Sequence, residues 1–292
     1  MSRRGWLLFL ALSVIWGLPY LFIKIAVEDL SPSVVVWGRV ALAAAVLLPV
    51  AATRGLFPAL RPVLGWVVVF AVIEIAVPFL MLGWAETRIS SSLAALLVAG
   101  VPIVAAVMAR GLGIDDRLTG MRVVGLVIGI VGVGFLVGLD VRGGQWWAVA
   151  AVGLTVVGYA LGPIIIATRL AAAPSLVVIT AALGLNALWY APVAWVQRPT
   201  QPVPAQAWWA IAILGVVCTA LAFLIFFQLV AEVGPSRMTV ITYLNPAVAV
   251  LLGVVVLSEP ITAGILIGFP LVLIGSWLAT RRATPLEDEP HP

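Results

Sequence analysis

The chain has 292 residues, of which 63% are hydrophobic and 10% charged, and its formal net charge is +4. Because a soluble domain is about half apolar and a quarter charged, this composition excludes an ordinary water-soluble fold and indicates that lipid is part of the solvent. The only cysteine is Cys218 and the only histidine is His291. These two residues cannot build a disulfide framework or a histidine site, so we predict no metal, no cofactor and no catalytic residues.

Apolar runs long enough to cross a bilayer, which takes about 20 residues, follow one another along the chain. We predict an all-α integral membrane protein with ten transmembrane helices. The predicted spans are Trp6–Ala26, Val34–Ala52, Val63–Trp84, Ser91–Ala109, Met121–Leu139, Trp147–Ala167, Leu176–Val196, Trp208–Val230, Met238–Leu257 and Ala263–Thr280.

The arginines of the connecting loops predict the orientation, because cytoplasmic loops carry an excess of positive charge. With the N-terminus in the cytoplasm, the far side holds only Arg88, Arg142 and Arg198, whereas most of the other arginines fall on the cytoplasmic side. We therefore predict a multi-pass protein of the cell membrane with both termini in the cytoplasm. Basic residues placed in this way indicate membrane topology, and we predict no nucleic-acid partner.

Two stretches of the chain echo each other. Pro102 precedes Asp115 by thirteen residues, and Pro246 precedes Glu259 by the same number. Upstream of these prolines, AETRISSSLAALL aligns with AEVGPSRMTVITYL, with an offset of two residues. Since five is an odd number of spans, a second copy of a five-helix unit enters the membrane from the opposite side. Such inverted repeats are typical of secondary transporters.

The chain therefore divides into two predicted repeats and a tail. The first repeat covers residues 1–142, the second covers residues 143–282, and residues 283–292 form a short polar segment that we predict to be a disordered cytoplasmic tail.

Several motifs of the chain are similar to those of one family. Trp16-Gly17, Arg39, SSSLAALLVAGVP in the fourth span and LNPAVAVLLGVVVLSEPIT in the ninth resemble the EamA-type fold of the drug/metabolite transporter superfamily. The resemblance implies a ten-helix exporter of small metabolites, often amino acids or related compounds, that works by alternating access. It also implies a central cavity walled by the third, fourth, eighth and ninth helices with the first and sixth.

Three charged residues lie inside predicted spans. Glu74 is in the middle of an apolar run, where an acid costs about 2.5–3.5 kcal/mol on insertion scales and usually faces a bundle interior or an aqueous path. Glu74, Arg39 and Lys24 are candidates for proton or charge coupling. The alternatives are a neutral Glu74 bonded between helices or paired with Arg39, an Arg39 paired with an acid or with helix-end carbonyls, and a Lys24 that snorkels toward water or pairs locally.

Aromatic and amide side chains inside the spans are candidates for lining a substrate cavity, since such sites combine apolar walls with a few polar groups. Core packing and helix–helix hydrogen bonds are the alternatives. With Glu74, the predicted cavity residues are Trp16, Tyr20, Tyr159, Phe227, Gln228, Tyr243 and Asn245.

Gly100, Pro102 and Pro246 are the predicted hinges, because proline removes a backbone donor and bends a helix. The alternative for Pro246 is a simple packing kink. Glycines recur in the fifth and tenth spans, where they permit close contact within the bundle or across a homodimer.

The sequence favours a secondary transporter of a small-molecule substrate over an enzyme. The alternative is a membrane-embedded transferase acting on a lipid-linked substrate. Such an enzyme needs clustered acids or a nucleophile with its base. The adjacent pair Asp115-Asp116 has no third acid nearby and is more typical of a solvated turn.

Overall fold

The computed structural model describes residues 2–113, 120–141, 143–233 and 241–280, and within these ranges the regular secondary structure is all helical, with no β-strand. Eight helices in the described ranges are long and apolar enough to cross a membrane. They are α1 (Arg3–Asp29), α2 (Pro32–Thr53), α3 (Phe57–Glu86), α4 (Ser91–Gly111), α5 (Gly120–Asp140), α6 (Gly143–Arg169), α7 (Ser175–Val196) and α8 (Ala205–Leu229). The protein is therefore a helical multi-pass membrane protein.

Two shorter apolar helices follow, α9 (Ile241–Val256) and α10 (Ala263–Thr280). The described part of α9 begins after residues 234–240, which lie outside the described ranges, as do Asp115 and Asp116. The first eight predicted spans are confirmed as helices of spanning length. That the ninth and tenth also cross the membrane stays a prediction.

Short hydroxyl side chains fix where several helices begin. The first backbone N–H groups of a helix have no intrahelical acceptor, and a Ser or Thr side chain supplies one. Ser2 accepts from the backbone N–H of Gly5 at 2.9 Å, and Ser90 accepts from that of Leu93 at 3.1 Å. Thr262 does the same for Ile265 at 3.1 Å. These caps place the starts of α1, α4 and α10.

Three of the helices are irregular at positions that matter for the site. Residues Ala71–Ala76 of α3 and Ile213–Leu221 of α8 form π-helical turns, a geometry that is frequent at functional sites. The α-helix of α4 is interrupted between Val98 and Val101, where Gly100 donates to the carbonyl of Leu97. The sequence did not indicate the π-helical turns, since neither contains a proline or another residue that marks a change of helix type.

The helices pack in pairs that join the first half of the chain to the second half. α2 packs against α7, α5 against α10, α1 against α8 and α9, and α6 against α3 and α4. Each pairing therefore connects a helix from residues 1–142 with one from residues 143–282.

The α5–α10 contact is the closest of these, and it depends on glycine. A Cβ atom at Gly132 would overlap the backbone of α10 at Val272, and one at Gly275 would overlap Gly129. Small residues allow two helix backbones to approach in this way. Gly134 and Gly138, on the same α5 helix, face open space instead.

Candidate functional site

Arg39 of α2 is a buried cation with a defined set of contacts. Its side chain lies in the interior with 7% of the residue exposed. The guanidinium donates from Nε to the hydroxyl of Thr219 at 2.9 Å and stacks on Phe79, with 3.8 Å between its Cζ atom and the ring centroid. No carboxylate of the described residues lies within 4.0 Å of it, so the predicted alternative of a Glu74–Arg39 ion pair is wrong for this structure.

The π-helical turn of α8 orients Thr219 toward Arg39. The Thr219 hydroxyl donates its proton to the carbonyl of Leu214, five residues earlier, at 2.8 Å. The hydroxyl oxygen of Thr219 therefore accepts the hydrogen bond from Nε of Arg39. Thr219 was not among the predicted site residues, because a threonine in an apolar run is indistinguishable by sequence from one that bonds its own helix.

Glu86, the last residue of α3, is completely buried, and neither carboxyl oxygen has a hydrogen-bond partner. Its charge interacts with those of Lys24, Glu259 and Arg39. Sequence reasoning missed Glu86 because it sits beside Thr87 and Arg88 and resembles a loop acid. The echo between AETRISSSLAALL and AEVGPSRMTVITYL, which begins beside it, is the one sequence feature that pointed to this position.

Lys24 reaches from α1 to the end of α3. Its ammonium donates to the backbone carbonyls of Glu86 at 2.6 Å and Ile89 at 3.0 Å. A cation at this end of a helix satisfies carbonyls that lack an intrahelical donor. The predicted alternative of local pairing therefore describes Lys24 in this structure.

Tyr20 and Tyr159 complete the group around Arg39 and Glu86. Tyr20 of α1 is buried, with 8% of the residue exposed, and Tyr159 of α6 is partly buried. Electrostatic interactions connect both hydroxyls with Arg39 and with Glu86. We call Tyr20, Lys24, Arg39, Glu86 and Tyr159 the polar cluster, and four of the five were predicted as site residues from the sequence.

Glu259, which follows α9, binds the start of α4. Its carboxylate accepts from the backbone N–H groups of Ser91 at 2.7 Å and Ser92 at 3.0 Å, and from the Ser92 hydroxyl at 2.5 Å. An acid at a helix N-terminus is stabilised by these donors and by the helix dipole. We call this contact the Glu259 latch, since it ties the segment after α9 to α4.

Glu74 lies in the π-helical turn of α3, apart from the hydrogen bonds of the polar cluster. Its Oε2 atom is buried without a hydrogen-bond partner. The carboxyl rests against the backbone of α6, because a Cβ atom at Gly162 would overlap it. One turn away, Gly158 makes room for the carbonyl of Ile73.

Aromatic side chains of α1 and α8 form a continuous group. The Trp16 ring centroid lies 5.4 Å from that of Phe226 and 6.3 Å from that of Phe223. Phe223 stacks on Phe227 at 6.2 Å. All four side chains are partly buried. The predicted cavity residues Trp16 and Phe227 therefore belong to one aromatic wall, together with Phe223 and Phe226.

Asn245 joins α9 to α1. With its amide oriented by its surroundings, the side-chain nitrogen donates to the carbonyls of Ser13 at 2.9 Å and Ile241 at 3.0 Å. α9 runs through Pro246 without interruption, whereas α4 is broken beside Gly100 and Pro102. The two predicted hinges thus differ in geometry, and the hinge role of each remains a prediction.

Of the predicted cavity residues, one lies outside the polar cluster and the aromatic wall, and the side chain of another is not described. Gln228 is exposed, and its amide oxygen accepts from Arg4 at 3.4 Å. Tyr243 belongs to α9, but its side chain lies outside the described part of the structure. The described residues contain no group of three or more His, Cys, Asp or Glu side chains that could hold a metal ion.

Buried cations and carboxyls inside a bundle of apolar helices define a membrane protein with a polar site in its interior. The sequence model of the EamA-like transporter family matches the chain twice, over residues 3–138 and again over residues 145–281. The protein belongs to the EamA-like transporter family.

Two relatives that match most of the chain are named as transporters. The Escherichia coli protein named uncharacterized inner membrane transporter YedA is 28% identical over 257 residues, which are 83% of this chain and 79% of that protein. An uncharacterized transporter of Archaeoglobus fulgidus is 23% identical over 281 residues, covering 96% and 99% of the two chains. Protein PagO of Salmonella typhimurium is 31% identical over 127 residues, or 42% of this chain and 41% of its own.

One solved crystal structure shares the fold. It superposes with a TM-score of 0.68 at 20% sequence identity and covers 96% of this chain and 97% of its own. At this identity the likeness concerns the fold alone. The family match makes this chain a membrane transporter of the drug/metabolite type.

Proposed function

We propose that the protein is a secondary-active exporter of small metabolites, such as amino acids or related compounds, working by alternating access. The polar cluster is the observation that carries this proposal. Ionisable side chains within membrane helices are rare, and they mark substrate or ion pathways. Here Arg39 and Glu86 are buried between helices from both halves of a transporter-family chain.

The ten helices form two inverted five-helix repeats, residues 1–142 and 143–282, around a central cavity. Two observations support this proposal. The same family model matches each half of the chain once. The third helix of each half also carries a π-helical turn, at Ala71–Ala76 and Ile213–Leu221. The aromatic wall and the other members of the polar cluster lie on α1, α3, α6 and α8, which the family resemblance places around the cavity, and Arg39 reaches α3 and α8 from α2.

Alternating access requires a contact that opens and closes between the halves. The Glu259 latch is suited to this because hydrogen bonds to exposed helix-end N–H groups can be exchanged for water. Lys24 closes the neighbouring end of α3 in the same region. In the proposed cycle, releasing the latch opens the cavity on the outer face, and Glu74, Arg39 and Lys24 couple the movement to a proton or another charge.

Flux in proteoliposomes tests the function. Vesicles are loaded with a labelled panel of amino acids and other metabolites, and efflux is compared between the parent, Glu74→Gln, Glu86→Gln and the control Glu28→Gln, whose carboxylate is exposed at the end of α1. We expect flux of at least one compound, reduced at least about tenfold by the first two changes at normal protein level and unaltered by the control. A parent protein that moves no compound of the panel would contradict the transport function.

The membrane-embedded transferase is not favoured as an alternative. The family and its named relatives are transporters. Turnover of a lipid-linked substrate in detergent, where no second compartment exists, would revive it.

Association into a homodimer remains a proposal. Gly134 and Gly138 of α5 face open space, which leaves room for a helix of a second copy. Replacing Gly134 with Leu would then lower the dimer fraction in detergent, whereas a parent that runs as a monomer would contradict it.

A further inference from the structure

The guanidinium of Arg39 has hydrogen-bond donors that the described structure leaves unused. A guanidinium has five N–H donors in a planar fork. In the described structure only Nε makes a hydrogen bond, to Thr219, and Phe79 covers one face of the plane. The edge formed by the two terminal nitrogens makes no hydrogen bond in the described structure, although only 7% of the residue is exposed.

A buried cation requires a counter-charge, because burying an unpaired charge is costly. Glu86 interacts electrostatically with Arg39, but it forms no ion pair with Arg39 within 4.0 Å and interacts more strongly with Lys24. Glu74 and Glu259 contact α6 and α4 instead. None of these acids therefore pairs with the two terminal nitrogens of Arg39, which can bind a group from outside the chain.

The missing group is best matched by a carboxylate. Its two oxygens fit the terminal nitrogens of a guanidinium in a bidentate arrangement, and it carries one delocalised negative charge. A phosphate monoester carries nearly two negative charges, whereas Lys24 already binds two backbone carbonyls and leaves the single charge of Arg39 to meet the ligand.

The aromatic wall indicates the rest of the molecule. Phe223 and Phe227 follow Thr219 by four and eight residues along α8, and Trp16 precedes Tyr20 by one turn of α1. Trp16 contacts Phe223 at 6.3 Å, so the aromatic wall begins one helical turn from the Arg39–Thr219 contact. An apolar body attached to the carboxylate would lie against this wall.

We propose that Arg39 binds the carboxylate of the transported molecule and that the aromatic wall of Trp16, Phe223, Phe226 and Phe227 holds its apolar body. The substrate class is therefore a small organic acid with one carboxylate and a flat or apolar remainder. This proposal rests on the proposed transport function and adds a substrate class to it.

Benzoate is a suitable probe because analogues of the same shape change only the charged group. Binding of labelled benzoate to the purified full-length protein in detergent is measured by equilibrium dialysis, with benzamide, benzylamine and phenyl phosphate as competitors. We expect benzoate to bind and each competitor to be at least about tenfold weaker, since a charge-assisted bidentate contact is lost or mismatched.

Variants of the site sharpen the test. Arg39→Gln is expected to weaken benzoate binding at least about tenfold, and Arg39→Lys to weaken it less, because lysine keeps the charge but not the fork. Arg88→Gln is the matched control, since Arg88 stacks on Trp84 with the same 3.8 Å separation but is exposed. If Arg39→Gln fails to fold, Thr219→Val and the competitor series on the parent decide the question.

Two outcomes overturn the proposal, namely benzamide competing as well as benzoate, or Arg39→Gln binding benzoate like the parent. A parent that moves neutral or cationic compounds in the flux assay but does not bind benzoate also overturns it and leaves the transport function intact. A parent that binds benzoate through Arg39 but moves nothing across a membrane supports the carboxylate site and overturns the transport function instead.

Discussion

Replacing Glu259 with Gln removes the charge of the latch and little of its volume. The carboxylate accepts three hydrogen bonds from Ser91 and Ser92, whereas the amide keeps only one carbonyl oxygen as an acceptor. Hydrogen bonds to a charged group contribute about 1.5–3 kcal/mol, and a charge at a helix N-terminus adds about 0.3–1 kcal/mol. We therefore expect the contact to weaken by about 2–3 kcal/mol, because part of the bonding is retained by the amide.

A weakening of this size shifts the equilibrium between latched and released states by roughly 30–150-fold. The shift can be followed at Ile89, which is 3% exposed and lies two residues before Ser91. In a Cys218→Ala background, the Ile89→Cys thiol reports how often this segment opens. Labelling in detergent exposes both faces of the protein, so the measurement does not depend on its orientation.

We expect the thiol of Ile89→Cys to react at least about tenfold faster when Glu259→Gln is also present, as the shift above requires. Glu28→Gln is the control, because it removes an exposed carboxylate from the end of α1. If Ile89→Cys is labelled equally fast with and without Glu259→Gln, the latch does not hold this end of the bundle closed.

Three further predictions address the packing, the proposed hinge and the topology. Gly158→Ala forces a methyl group onto the backbone carbonyl of Ile73 and is expected to destabilise the protein by about 1–3 kcal/mol in thermal unfolding, whereas Gly153→Ala on the same helix meets open space and should not destabilise it. Pro246→Ala is expected to slow efflux at normal protein level, and transport at the parent's rate would contradict the hinge. Cysteines introduced at Ser2 and at Pro292, again without Cys218, should both be protected from an impermeant thiol reagent in intact cells, and labelling of either one would contradict cytoplasmic termini.

The spanning helices were predictable because each depends on its own composition. In lipid every backbone polar group must be satisfied within the segment, so an apolar run of sufficient length is helical whatever its neighbours are. Arg39, Lys24 and Glu74 were equally visible, since a charge inside an apolar run is conspicuous. What could not be predicted is what each of them touches, because Thr219 lies 180 positions beyond Arg39 in the chain.

Glu86 and Gln228 show where reasoning from sequence reaches its limit. Glu86 resembles a loop acid but is buried, because Lys24 and the segment around Ser91 close over the end of α3. Gln228 resembles an intramembrane amide but is exposed and contacts Arg4. Burial at the end of a helix is decided by elements distant in the sequence, and no local pattern records it.

The contacts between the two halves differ in how easily they can move. The α5–α10 interface brings backbone against backbone at Gly132 and Gly275, so sliding it would force atoms into overlap. The Glu259 latch consists of hydrogen bonds that water can replace. We therefore expect the halves to rock about the α5–α10 interface while the latch opens and closes.

Cross-linking separates these two roles. Asp140, at the end of α5, accepts from the Thr262 hydroxyl before α10 at 2.7 Å, which gives a side-chain contact at the expected pivot. A short thiol cross-linker between Ser91→Cys and Glu259→Cys should stop efflux, and cleavage of the linker should restore the rate of the uncross-linked double variant. The same linker between Asp140→Cys and Thr262→Cys should leave most of that pair's efflux in place, because a pivot can be fixed without preventing rotation about it. If both cross-links stop transport equally, the two interfaces move together, and the assignment of a fixed pivot and a moving latch is wrong.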